Sequence, residues 1–345
     1  MSGDLALGED QRDLAAMALA FADEHTDPAA VLAGADPLWT DKQLAAAGDL
    51  GLTGLLTEDG GGTHTDLAVV VEQLGRTGCA LPIAPVALAA GLAESAGLRP
   101  AGLCVPAVAE RGAPDITAEP AGDSLRLSGR AEFVLAGAEA DQVLVLAHTA
   151  ESSVVAVVDT KADGVTVTPR SILDISRRFA AVALESAVAV GWAEADTTTT
   201  REAAAVHLMA DAVGAASRLL ELTLEHVRTR EQFGRAVGSF QAVKHHCANM
   251  AVDLELSRGA VLAAMRALDD EDPVARAFAV SSAGSFAGEA CSRLAGLALQ
   301  LHGGMGFTWE QPVHVFLRRI KTDELLGGTP RWHRARLLEL TGANR

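Results

Sequence analysis

Val143-Leu-Val-Leu-Ala-His-Thr-Ala-Glu-Ser-Ser-Val-Val-Ala-Val-Val158 is the stretch on which the fold turns. Two runs dense in valine, Val143–Ala147 and Val154–Val158, flank a polar segment. Branched side chains suit a pleated surface and lose rotamer freedom on a helix, so these runs predict short strands. Val165-Thr-Val-Thr168 repeats the pattern downstream, and upstream Leu125, Leu127 and Gly129 alternate with polar residues. Asp, Gly and Thr separate the runs as turn formers. A small antiparallel β domain over about residues 100–189 follows.

Outward from it, both flanks change period. From Asp10 to about Leu98 the chain is rich in Ala and Leu at helical spacing, broken at Glu58-Asp-Gly-Gly-Gly-Thr63 by a loop that no helix tolerates. Beyond Asp196-Thr-Thr-Thr-Thr200, read as a polar hinge, Val206, Met209, Val213, Ala216, Leu220, Leu224 and Val227 advance in steps of three and four, one face of a long helix. Phe240–Leu268 and Pro273–Leu301 give two more, and long antiparallel helices pack as a bundle. The α, β, α order excludes a Rossmann domain, because no strand, glycine-rich loop and helix occur in succession.

The chain has 345 residues, 49% of them hydrophobic and 21% charged, enough for two or three domains with large cores. Its net charge of −17 disfavours nucleic acid or anionic membrane as a partner, although a locally basic pocket for an anionic cofactor is compatible with it. No stretch reads as a membrane span, and Met1-Ser-Gly-Asp-Leu is acidic where a secretory signal would be basic; the expected location is cytoplasmic. Cys79, Cys104, Cys247 and Cys291 form no C-x-x-C pair, which argues against zinc or a disulfide framework and for buried thiols. His245 and His246 are adjacent and so point to different faces of a helix, not to a shared metal. Asp269-Asp-Glu-Asp272 before Pro273 reads as a solvated loop leading into a helix.

Two motifs remain. Arg230-Glu-Gln-Phe-Gly234, followed by Phe240-Gln241, closes the first long helix, and Gln300-Leu-His-Gly-Gly-Met-Gly-Phe307 closes the third. Taken alone, Arg230 is either a bidentate pyrophosphate ligand or a solvated helix end, and Gly303-Gly304 either lets backbone N–H groups approach phosphate or caps a helix. Taken together and in order, they resemble the acyl-CoA dehydrogenase family. Gly51-Leu-Thr-Gly-Leu55, Gly60-Gly-Gly62, Glu72-Gln-Leu-Gly-Arg76, and Gly129-Arg130 with Ala140-Asp141 extend the resemblance over almost the whole chain.

The resemblance implies an α+β, mostly α fold: an N-terminal helical domain (1–99), a central antiparallel β domain (100–195) and a C-terminal four-helix bundle (196–345). It implies FAD as cofactor, an acyl-CoA substrate and removal of two hydrogens from its α and β carbons, with a glutamate as base and the flavin as hydride acceptor. Arg230, Gln232, Phe233, Gln300, Gly303, Gly304 and Thr329 become the cofactor-binding positions, and an electron-transfer flavoprotein a candidate partner. In the family the Arg230 segment reaches across a subunit interface to the ADP half of the cofactor.

The pattern breaks at the chemistry. Where relatives read aromatic-Glu-Gly-Thr, this chain has Leu326-Gly-Gly-Thr329, placing Gly327 at the base, so no catalytic residue is assigned. The alternative base position of some relatives falls near Ala204, and Glu202 lies about 200° around the helix from it. Cys104-Val-Pro-Ala107 and Val134-Leu-Ala-Gly137 stand where relatives carry flavin-ring segments.

These losses imply a half-site subunit that completes the FAD site of a related, competent subunit. The short chain and its Gly327-Gly-Thr-Pro330 ending resemble the partner subunit of heteromeric actinobacterial enzymes of steroid side-chain degradation. Two other readings stay open: a self-sufficient homo-oligomer with its base moved to Glu202 or Glu324, and a nonenzymatic scaffold that keeps only the fold.

Overall fold

The helical text before residue 98 forms α1 (Glu9–His25), α2 (Pro28–Ala33), α3 (Asp41–Asp49), α4 (His64–Thr77) and α5 (Ile83–Ser95). The computed structural model describes residues 7–109, 115–270 and 272–342; Met1–Leu5, read above for its charge, lies outside them. The glycine loop runs into Thr63, whose hydroxyl accepts the Asp66 N–H while Asp66 accepts the Thr63 N–H, a reciprocal cap that starts α4. Asp269 does more than the solvated loop expected of it. Its carboxylate accepts from the N–H groups of His64 (2.8 Å) and Thr65 (3.2 Å), tying the start of α4 to the distant C-terminal helices.

The central region is one sheet of β1 (Cys104–Ala107), β2 (Ile116–Ala121), β3 (Ser124–Leu135), β4 (Gln142–His148), β5 (Ser153–Asp159), β6 (Val165–Arg170), β7 (Phe179–Val188) and β8 (Gly191–Glu194). Its order is β6-β7-β3-β2-β4-β5-β8, with β1 also on β4. The expectation of a wholly antiparallel sheet needs one correction, because β4 runs parallel to both β1 and β2. The chain leaves β1, turns back through the β2–β3 hairpin and re-enters at β4 in its original direction. Val143 to Ala147 and Val154 to Val158 are buried throughout, so both faces of β4 and β5 are covered and their sequence has no need to alternate.

The remaining helices are α6 (Thr197–Thr229), α7 (Gln241–Leu268), α8 (Pro273–His302), α9 (Val313–Leu326) and α10 (Pro330–Leu340), the last an addition to a four-helix core. The threonine run is not a hinge but the first turn of α6. Asp196 accepts from the Thr198 N–H and the Thr199 hydroxyl, and that cap offsets the poor helix propensity of β-branched residues. By length and composition α6 is apolar enough to cross a membrane, but 78% of its apolar window is buried inside the protein. It crosses α4 at backbone contact. A Cβ on Gly214 would fall 1.9 Å from the Glu72 carbonyl oxygen, and one on Gly75 would fall 2.2 Å from that of Asp211. Three of the cysteines are buried as expected, while Cys247 is only half-buried.

Candidate functional site

At one end of the bundle α6 stops at Arg230, and the chain makes a two-residue hairpin between β9 (Glu231–Gln232) and β10 (Arg235–Ala236). Phe233 (φ 55°) and Gly234 (φ 77°) form its tip, the left-handed pair such a turn demands. Glycine takes that conformation freely; phenylalanine does so under strain. The Phe233 side chain is 92% exposed and meets the edge of Phe240, over which the Arg235 guanidinium sits at 4.0 Å. The Gln232 amide donates to the Glu231 carbonyl. The Arg230 side chain is exposed, and its guanidinium has no hydrogen bond or ion pair among the described residues.

Beside this hairpin α8 ends with Gln300 exposed and Gly303 at φ 58°, ψ −140°. A Cβ on Gly303 or Gly304 would meet nothing within 4 Å, so the backbone of this turn is open to a ligand. Phe307 (75% exposed) and Trp309 (63%) follow it. The two segments meet through stacked rings, His226 of α6 on His302 of α8, with centroids 4.5 Å apart. Six of the seven expected cofactor positions thus share one end.

Thr329 is the exception. Its hydroxyl caps α10 by accepting the Trp332 N–H, and its neighbour Pro330 lies 3.2 Å from where a Cβ on Gly288 would be. Gly288 is twelve residues back along α8 from Gln300, about 18 Å at helical rise.

A cavity of about 190 Å³ opens between α4, α5, the sheet and α6, walled by Leu74, Leu88, Pro106, Phe133, Leu135 and Leu208 among others. Ala204 offers it a methyl group. Gly327 lies just outside, with an ordinary helical φ of −70°; a Cβ there would sit 3.4 Å from the Ala205 carbonyl oxygen and 3.7 Å from Leu208 Cβ. Neither position carries a carboxylate.

The two substitute glutamates are engaged elsewhere. Glu202 is buried against Arg276, 2.7 Å from its Nε, and against Arg336. Glu324 holds Lys321 at 2.5 Å and the Ser292 hydroxyl. Neither is among the residues lining this cavity.

Asp211 is the carboxylate that does line it, and it belongs to a buried network. Arg319 grips it with two hydrogen bonds of 2.7 Å. Arg177 donates to Asp174 at 2.7 Å and to Asp323 at 2.6 Å. Burial alone would raise Asp211, but Arg319 and Arg177 hold it down to about 2. Burial pushes Asp323 well above the usual aspartate value, with Arg177 acting in the opposite direction.

His207 also lines the cavity. Its Nε2 is 3.3 Å from His64 Nδ1, while its own Nδ1 is buried without a partner. Burial lowers its pKa well below the usual imidazole value, and His64 lowers it further. Neither the network nor His207 was among the expected site residues. The usable signal was charge inside an apolar stripe: Asp211 stands between Met209 and Val213 on α6, and Arg319 beside Ile320 on α9.

The residues fit one half of FAD and not the other. The Arg230 guanidinium, the exposed Phe233 ring and the open glycine turn suit a pyrophosphate and an adenine. The segment at the flavin-ring position uses its donors internally: the Ala136 N–H bonds the Arg178 carbonyl (2.9 Å) and the Gly137 N–H bonds that of Val134 (3.1 Å). Phe133 and Leu135 offer the cavity only hydrocarbon.

Comparison with known proteins places this geometry among relatives. Residues 8–97 match the acyl-CoA dehydrogenase N-terminal domain and residues 190–339 the C-terminal domain. The acyl-CoA dehydrogenase IpdE2 of Mycolicibacterium smegmatis is 31% identical over 347 aligned positions, covering 96% of this chain and 98% of that protein. FadE34 of Mycobacterium tuberculosis is 34% identical over 308 positions, but the chain spans only 42% of its length. Among solved structures, a variant of the Tcur3481–Tcur3483 steroid ACAD superposes with a TM-score of 0.89, covering 98% of this chain and 99% of that one. The ChsE4–ChsE5 complex of Mycobacterium tuberculosis superposes with a TM-score of 0.87, covering 99% of both; each of these two is 25% identical.

Proposed function

Because this chain belongs to the acyl-CoA dehydrogenase family, we propose that it is a half-site subunit of a heteromeric, FAD-dependent acyl-CoA dehydrogenase. Arg230, Gln232, Phe233, Gln300, Gly303 and Gly304 complete the FAD site of a related subunit by holding the ADP half of its cofactor. That partner supplies the glutamate base, and FAD, when bound, accepts the hydride. Thr329, set apart at the far end of α9, takes no part in that seat.

One observation carries the reading: an open, unpartnered cofactor end coexists in one chain with a cavity that has no available carboxylate. An interface residue poised for a neighbour's ligand is exposed and unpaired in the single chain, as Arg230 is. A self-sufficient enzyme would need a free base, and the engagement of Glu202 and Glu324 weighs against it. A scaffold would need neither Arg230 nor the glycine turn.

The similar solved structures are described as a steroid ACAD and as the ChsE4–ChsE5 complex. On that likeness the proposed substrate is a CoA thioester with a bulky, sterol-derived acyl group. An electron-transfer flavoprotein is the acceptor to test first, and the cytoplasm the place. The division into 1–99, 100–195 and 196–345 is our working one.

The test is flavin absorbance and acyl-CoA dehydrogenation, measured on the purified chain and on the chain co-expressed with an acyl-CoA dehydrogenase encoded beside it. Flavin and turnover only in the complex are expected. Full flavin and turnover from the single chain would refute the half-site role.

A further inference from the structure

The two cofactor motifs lie far apart in sequence, and a pair of histidine rings joins them. His226 sits one helical turn before Arg230, and its backbone carbonyl accepts the Arg230 N–H at 2.9 Å. His302 is the last residue of α8, immediately before Gly303. Its buried ring donates from Nδ1 to the Ala298 carbonyl, 2.8 Å away, which fixes both its orientation and its tautomer. The His226 ring lies on it nearly parallel, with planes 23° apart and centroids 4.5 Å apart. A shift of the end of α6 against the end of α8 therefore slides one ring over the other.

We propose that His226 is a positioning residue for the ADP half of the cofactor: stacked on His302, it sets the Arg230 hairpin against the Gly303–Gly304 turn, and acid releases that setting. The inference rests on the cofactor seat proposed above.

A proton gained by His226 is disfavoured where that ring stands, against the His302 ring and near the Arg230 guanidinium. Burial lowers the His226 pKa from its usual 6.5, and His302 from α8 and Arg230 from the end of its own helix lower it further. A histidine with a lowered pKa in the folded state contributes stability that is fully present above 6.5 and falls away as the pH drops below it. The clamp therefore holds at neutral pH and loosens in acid.

Three variants of the co-expressed complex test this, read by bound flavin per complex after gel filtration at pH 7.5 and 5.5. His226→Phe keeps a ring on His302 and removes the titration. It is expected to retain flavin like the wild type at pH 7.5 and to lose less of it at pH 5.5. His226→Ala removes the ring and should retain about two- to tenfold less flavin at pH 7.5, the range a lost aromatic stack supports. Unchanged retention in His226→Ala, or an acid loss in His226→Phe equal to that of the wild type, overturns the proposal. Arg230→Ala separates the two levels: if it leaves flavin unchanged, the cofactor seat itself is wrong; if it depletes flavin while His226→Ala does not, only the clamp fails.

Discussion

The two ends of the C-terminal bundle are built to opposite rules. At the Arg230–Gln300 end, the Arg230 and Gln300 side chains stand in solvent without partners among the described residues, glycines leave backbone uncovered and a phenylalanine is held strained at a hairpin tip. Toward the cavity, charged groups are turned on one another: Asp174, Arg177, Asp211, Arg319 and Asp323 are buried in one bonded network, and Glu202 is buried between two arginines. A site whose ligand lies in another chain stays unsatisfied until assembly, whereas an interior that has lost its chemistry can be closed. On the half-site reading proposed above, the retained function lies at this exposed end.

The sharpest way to break the contrast is to disturb the closed region. Arg319→Met leaves Asp211 buried against a single, more distant guanidinium and should cost about 3–5 kcal/mol in urea unfolding; a loss below about 1 kcal/mol would show that the network is not closed. Glu202→Gln should cost about 2–4 kcal/mol for the same reason. It should leave turnover of the assembled complex intact, and abolished turnover with an unchanged melting curve would restore Glu202 as a relocated base.

At the open end the signature reverses. Arg230→Ala is expected to shift unfolding by no more than about 0.5 kcal/mol while weakening flavin retention by about tenfold or more, as befits the loss of charge-assisted bonds to a pyrophosphate. A pH titration refines the picture further. His207 has a lowered pKa, so the folded protein should lose up to about 1.4 kcal/mol per pH unit on acidification below 6.5. His207→Leu should flatten that slope, and an unaltered slope would assign it to other groups. Smallest of all, Phe233→Asn relieves left-handed strain and should stabilise the chain by roughly 1 kcal/mol while lowering flavin retention.

What could be read in the sequence follows from how local each signal is. The valine runs at 143–158 and the apolar stripe of α6 announce their elements because strand and helix periodicities are written into neighbouring residues. The threonine run reads as a polar hinge because it carries no apolar period, and the Asp196 cap is what makes it the first turn of α6. The hairpin at Phe233 escaped notice because its strands are two residues each. Arg230 and Gln300 were legible only through resemblance, whereas Thr329 before Pro330 carries a local helix-start signal, and in the structure it caps α10. Asp211 and Arg319 could be seen as charges in apolar stripes, but their pairing joins helices whose contact exists only in three dimensions.

The crossing of α4 and α6 at Gly75 and Gly214 has a consequence for motion. Backbone meets backbone there, so the joint has no side-chain rotamers whose loosening could begin its opening. In hydrogen exchange, amides of α4 and α6 around the crossing should be among the last to exchange. The exposed hairpin beyond Arg230 should exchange almost at once, giving a chain whose slowest and fastest amides lie on the same helix and its immediate continuation.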